Sequence, residues 1–123
     1  MQDARQDGIT AMGAVDLAAA IRGRVVSCVA VMRAYLERIH RLNPQVNAIV
    51  AMADDAALLK EAEAADAALA RGDTVGPLHG FPLAVKDFDA VRGLPFTQGS
   101  PIFADRIADA DSIMVSQIGR AHV

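Results

Sequence analysis

Lys86 closes a short apolar run, Phe81-Pro82-Leu83-Ala84-Val85, at the end of the stretch Gly76-Pro77-Leu78-His79-Gly80 to Asp87, and a lysine so placed can act as a base. At its reference pKa of about 10.4 an ammonium keeps its proton at neutral pH and accepts none. Taken out of water, the charged form is disfavoured, and a neutral amine can receive a proton from a hydroxyl. The apolar run leading into Lys86 supplies part of such a surrounding. Asp87, next in an extended chain, projects to the opposite side, so the two charges need not pair. For the tripeptide Val85-Lys86-Asp87 alone, a lysine that has simply reached water at a strand end is the better reading.

Other reactive side chains read as structural. Cys28 falls on the apolar stripe of a helix, where a thiol serves as a small hydrophobe. His79 precedes Gly80 in the loop before the apolar run and reads as a loop residue. Ser112 stands among Asp109 and Asp111 at an expected helix start, a capping context. One cysteine and three scattered histidines give neither a disulfide framework nor a zinc spacing, so no metal or redox cofactor is expected.

These residues need elements to place them. Met1 to Gly13 lacks periodicity and reads, with Ala14, as a flexible arm over 1–14. Val15 to Arg22 forms a short helix that Gly23 ends. Ser27 is placed to cap a second helix, whose stripe Cys28, Met32, Tyr35, Ile39 and Leu42 faces a core until Asn43-Pro44 stops it. Val46 to Met52 reads as a strand. Asp54 to Ala70 is again helical, with Leu58, Leu59, Ala62, Ala65 and Leu69 on its apolar side. Arg71-Gly72-Asp73 ends it, and at a helix terminus this tripeptide is a cap rather than an adhesion motif. Phe81 to Val85 reads as a strand covered on both faces, with Pro82 near its start. A strand covered on both faces fits the parallel or mixed sheets of α/β folds, and in open α/β sheets reactive groups gather beyond the carboxyl ends of strands, where Lys86 lies.

With 123 residues, 53% of them hydrophobic, the chain suits one soluble domain or a piece of a larger one. Twelve basic and 15 acidic residues give a net charge of −3 without long blocks of either sign, which disfavours nucleic acid and anionic membrane as partners. No apolar stretch approaches the roughly 20 residues of a membrane span, and Met1 to Thr10 is too polar for a secretion signal, so the expected compartment is the cytoplasm.

The stretch from Gly76 to Asp87, followed by Gly93-Leu94-Pro95-Phe96-Thr97-Gln98-Gly99-Ser100, resembles the N-terminal part of the amidase signature family, including the spacing from Lys-Asp to Thr-x-Gly-Ser. Ile39-His40-Arg41-Leu42-Asn43-Pro44 and Val46-Asn47-Ala48 resemble the same family, and the likeness extends over Val15 to Gln117. It implies a mixed-sheet α/β fold and hydrolysis of a small-molecule carboxamide by a Ser-cis-Ser-Lys triad without a cofactor. In that family the lysine of Val-Lys-Asp is the terminal base, a role that passes to Lys86. Both triad serines lie downstream in the family, in and before a glycine- and serine-rich segment that this chain lacks. Ser100 belongs to the family's Thr-x-Gly-Ser turn and is no substitute. Phe88, Asp89 and Phe96 depart from common family residues near the active site and bear on substrate preference. Gly99-Ser100, where amidotransferase A subunits tend to carry Ala-Ser, favours a free-standing amidase over a tRNA-dependent amidotransferase.

Asp111 to Gln117 begins an apolar helical pattern, but Ile118-Gly119-Arg120-Ala121-His122-Val123 leaves it. Those six residues translate, in one frame, the sequencing-adaptor start AGATCGGAAGAGCACACGTC, so 118–123 reads as a non-native tail joined to a truncated amidase domain over 15–117. Such a piece is expected to be inactive alone, because nucleophile, base and oxyanion donors act as a unit. Its strand ending at Lys86 would have an uncovered edge, which favours aggregation. The alternative from another class is a non-catalytic interaction or scaffold module derived from the same region.

Overall fold

The computed structural model describes residues 4–120, with side chains described over 8–117. Five α-helices follow in order, α1 (Ala4–Ala11), α2 (Ala14–Arg22), α3 (Cys28–Val46), α4 (Asp55–Arg71) and α5 (Ile113–Arg120), with one 3-10 turn at Pro101–Phe103. Residues 1–3 and 121–123 of the expected arm and tail lie outside the described residues. The arm expected over 1–14 is instead helical from Ala4, and Ile9 at 9% exposure belongs to the core, with Met12 packed against it. A single isoleucine reaching a core gives no visible period, which is why this helix escapes the pattern.

The core is built from one face each of α2, α3 and α4. Leu17, Ile21, Cys28, Val31, Ala34 and Ala62 are buried together with Ile9. Burying side chains the size of Leu17, Ile21 and Val31 is worth roughly 1.5–3 kcal/mol each. Met32, Tyr35, Ala65, Leu69 and Phe81 pack around them, while Leu42, at the end of the expected stripe, is exposed. Helix α2 stops as anticipated, but Gly23 keeps a right-handed φ of −74° and Arg24 takes the left-handed position at φ 56°.

Helix α3 passes through Pro44 and ends at Val46, which corrects the stop expected at Asn43-Pro44. The proline falls in the last turn, where few bonds remain for its ring to remove. The Asn43 side chain supplies replacements. Its Oδ1 accepts from the amides of Ala48 and Ile49, both at 2.9 Å, and its Nδ2 donates to the Ile49 carbonyl. Asn47 then closes the helix in the left-handed region at φ 48°. The strand expected over Val46 to Met52 is therefore a helix end and an irregular link, in which Val46 and Val50 are exposed. Helix α4 follows its sequence signals: the Asp54 carboxylate accepts from the Ala57 amide, and Gly72 ends it at φ 76°.

The start of α3 is capped from two sides. Ser27 Oγ accepts from the Ala30 amide at 3.0 Å, as its position suggests. The Asp66 carboxylate of α4 accepts from the Cys28 amide at 2.7 Å and the Val29 amide at 3.1 Å. Three of the four donors that a helix start leaves unpaired are thereby satisfied, one pair of them by a residue of another helix.

Burial first, and then the Asp66 carboxylate beside it, push the Cys28 thiol from 9.0 up to about 12. Because the folded value lies above the unfolded one, the neutral thiol stabilises the fold fully below pH 9.0, and that contribution is lost as the pH rises toward 12. The urea midpoint is expected to fall across this window and to fall less steeply in Cys28→Ala. Parallel curves for the two proteins would show that the thiol contributes nothing.

Candidate active site around Lys86

The turn that precedes Lys86 is anchored to the helical core. Pro77 to Gly80 forms two successive turns, with the His79 amide donating to the Gly76 carbonyl and the Phe81 amide to the Leu78 carbonyl. His79 is 2% exposed, and its Nε2 lies 2.9 Å from the Ala65 carbonyl of α4. A carbonyl can only accept, so Nε2 carries the proton of this bond. The histidine read as a loop residue is thus a buried tie between the turn and α4. Gly80, at φ 78°, lies so close to α3 that a Cβ placed on it would stand 2.6 Å from Cys28 Sγ.

From this anchor the chain runs through 81–86 to Lys86 without forming a strand. Among the described residues there is no sheet; the backbone pairing nearest to one is an isolated antiparallel bridge between Pro95 and Ile107. The mixed sheet expected from the α/β reading is absent here, because an apolar extended segment becomes a strand only beside a partner that bonds its amides and carbonyls. The bridge belongs to a short ribbon in which the Phe96 amide donates to the Arg106 carbonyl, and the amides of Gly93 and Ala108 donate to the carbonyls of Ala108 and Leu94. The Arg106 guanidinium lies over the Phe96 and Phe103 rings, at 4.7 and 5.5 Å from their centroids.

Lys86 itself is exposed, with Nζ 5.7 Å from the centroid of the Phe88 ring, so the burial anticipated for it is not present in this structure. Among the described residues it makes no ion pair. Asp87 is engaged elsewhere. Its Oδ1 accepts from the Thr97 amide at 2.8 Å, and its Oδ2 accepts a short hydrogen bond from the Thr97 hydroxyl. The Thr97 hydroxyl first, together with the Thr97 and Gln98 amides, holds the Asp87 carboxyl below its ordinary value. This link between the two motif segments is the feature that reading the residues singly misses. Its signal lay in the joint occurrence of Lys-Asp and Thr-x-Gly-Ser.

Residues 97–100 form a tight turn in which the Ser100 amide donates to the Thr97 carbonyl at 3.0 Å, with Gln98 at φ 52° and Gly99 at φ 68°. Positive φ at both central positions is the mark of a type I′ turn. Ser100 Oγ accepts from the Ile102 amide, and Ser112 Oγ caps α5 by accepting from the Val115 amide. Both hydroxyls are structural, as expected. A cavity of about 300 Å³ beside the ribbon is lined by Ala90, Phe96, Arg106, Ala108 and Ser112 among others, and Lys86 does not line it. Among the described residues, no three His, Cys, Asp or Glu side chains converge to hold a metal ion, and no helix is long and apolar enough to cross a membrane.

The sequence model of the Amidase family matches residues 30–122, and the chain belongs to that family, the amidase signature enzymes. It is 44% identical over 110 residues to the A subunit of the glutamyl-tRNA(Gln) amidotransferase of Acidothermus cellulolyticus, covering 89% of this chain and 22% of that one. It is 40% identical over 108 residues to an indoleacetamide hydrolase of Bradyrhizobium diazoefficiens, covering 88% of this chain and 20% of the relative. Among solved structures it superposes on a fatty acid amide hydrolase with a TM-score of 0.88 and 26% identity, covering 98% of this chain and 21% of that chain. The chain therefore spans about a fifth of the length of the relatives it matches.

Proposed function

We propose that this chain carries the base of a serine amidohydrolase, with Lys86 as the terminal proton acceptor of a Ser-cis-Ser-Lys relay. The observation that supports this most is the state of Lys86, an amine at the end of an apolar segment, without an ion pair, beside a carboxylate already bonded to Thr97. In the proposed sequence the neutral amine takes the proton of a bridging serine, which takes that of the nucleophilic serine. The nucleophile adds to the amide carbon, the C–N bond breaks as the leaving amine receives a proton, and water then cleaves the acyl-serine ester. Both serines and the oxyanion donors would come from the segment that follows in the family, and closure of that segment over the exposed Lys86 would supply the burial a neutral amine requires. A second reading keeps the same chemistry in an amidotransferase, and the 44% identity to the A subunit of such an enzyme favours it.

The 123-residue chain alone is expected to hydrolyse no simple aryl or aliphatic amide, since the members of a catalytic constellation act together. Substituted for the matching fifth of the Bradyrhizobium hydrolase, it is expected to support turnover, and Lys86→Ala to lower that rate by roughly 10²–10⁴-fold. Turnover by the isolated chain that Lys86→Ala abolishes would contradict the first expectation. An active hybrid indifferent to Lys86→Ala would remove the base.

A further inference from the structure

Asp87 and Thr97 bind each other through more contacts than a surface pair needs. The carboxylate accepts from both the Thr97 amide and the Thr97 hydroxyl. The hydroxyl that donates to Asp87 accepts in turn from the Gly99 amide at 3.2 Å, so donor and acceptor capacity of the threonine are both used. In the turn that carries Thr97, Gln98 holds a φ of 52°, a region that a non-glycine residue keeps only where its surroundings fix it. On the other side of Asp87, the Asp89 amide donates to the Lys86 carbonyl at 2.9 Å, closing a turn over 86–89.

We propose that Thr97 is the positioning residue for Lys86, because its amide and hydroxyl fix Asp87 and thereby the turn that presents the lysine, while keeping the Asp87 carboxylate away from the ammonium. The inference rests on the proposed role of Lys86 for its catalytic meaning, but its geometry stands apart from that role. Without the hydroxyl, the carboxylate loses its strongest partner and is free to swing toward the adjacent Lys86. A threonine is suited to the task because its γ-methyl restricts χ1 and holds the hydroxyl in one direction. Serine supplies the same hydroxyl with a freer rotor.

The test uses the whole chain and nuclear magnetic resonance. In the unmodified protein the Asp87 carboxyl carbon is expected to titrate below the exposed carboxylates, and the Asp89 amide to be protected from exchange. Because the folded value is lowered, the clamp is complete above the ordinary aspartate range near about pH 4 and is lost as the pH falls through the lowered value. Thr97→Val should raise the Asp87 titration toward the ordinary range and speed exchange of the Asp89 amide roughly tenfold or more. Thr97→Ser should restore both, a recovery that a loss of methyl packing would not produce. An ordinary Asp87 titration together with rapid Asp89 exchange in the unmodified chain would overturn the proposal, even if the valine variant fails to fold. So would a valine variant that keeps both signatures. None of these readings depends on whether Lys86 serves as a base, which the hybrid hydrolase decides.

Discussion

Gly80→Ala is expected to lower the stability of the folded chain by roughly 3 kcal/mol, through two additive costs. A Cβ at residue 80 would stand 2.6 Å from Cys28 Sγ and 3.4 Å from Cys28 Cβ, in a core where the thiol is completely buried. Neither partner can yield easily, since the sulfur sits on a short side chain in the first turn of α3 and the backbone of residue 80 is held by the bonds on either side of it. The second cost is conformational, because φ at this residue is 78°, which an L side chain adopts only with strain. The two can be separated. In a Cys28→Ala background the close sulfur is gone and only the backbone cost, about 1 kcal/mol, remains. Urea unfolding of the four proteins of this cycle gives the coupling directly. Equal effects of Gly80→Ala in the two backgrounds would mean that the turn moves away from α3 rather than pressing into it.

Asp66→Ala is expected to cost about 2 to 3 kcal/mol, although the residue lies in the middle of a helix, where an acidic side chain on a solvated face contributes little. Its carboxylate is the acceptor for the first two amides of α3, and one of those belongs to the fully buried Cys28. Removing it leaves a buried donor without a partner and takes a negative charge from the positive end of the α3 dipole. Asp66→Asn keeps one acceptor and should cost about half as much. The same carboxylate helps to push the Cys28 thiol upward, so Asp66→Ala should bring the thiol pKa down from about 12. Thiolate absorbance followed against pH reads this shift. A stability loss without any change in the thiol titration would place Asp66 farther from Cys28 than the structure does.

The parts of this fold governed by neighbouring residues could be read from the chain. Ser27, Asp54 and Gly72 mark helix boundaries through bonds that reach only three or four residues along the sequence, and the structure keeps all three. Pro44 misled because its usual effect was offset by the Asn43 side chain, whose three bonds to Ala48 and Ile49 no propensity encodes. The run ending at Lys86 has the composition of a strand without becoming one, since a strand is a property of two segments. Asp66 escapes notice, and His79 reads as no more than a loop residue, for a related reason. Each looks ordinary beside its neighbours, and each gains its role from a partner 37 or 38 residues away in one case and 14 in the other. Of the candidate site, the structural role of Ser112 was legible from its capping context and that of Ser100 from the Thr-x-Gly-Ser turn it belongs to, whereas the exposure of Lys86 and the Asp87–Thr97 clamp depend on tertiary placement and turn geometry that composition does not reveal.

Ala65 and Asp66 are adjacent residues of α4, and between them they hold both the turn at 77–80 and the start of α3. Their different loop lengths favour one order of assembly over the other. Closing the 14-residue segment from Ala65 to His79 costs less chain entropy than closing the 38 residues from Cys28 to Asp66, by something under about 1 kcal/mol from length alone. The turn can therefore settle against α4 first and leave a groove into which α3 then docks. On that route the Gly80 contact is completed only when Cys28 arrives, so Gly80→Ala is expected to speed unfolding more than it slows folding, as the two arms of a denaturant rate plot would read.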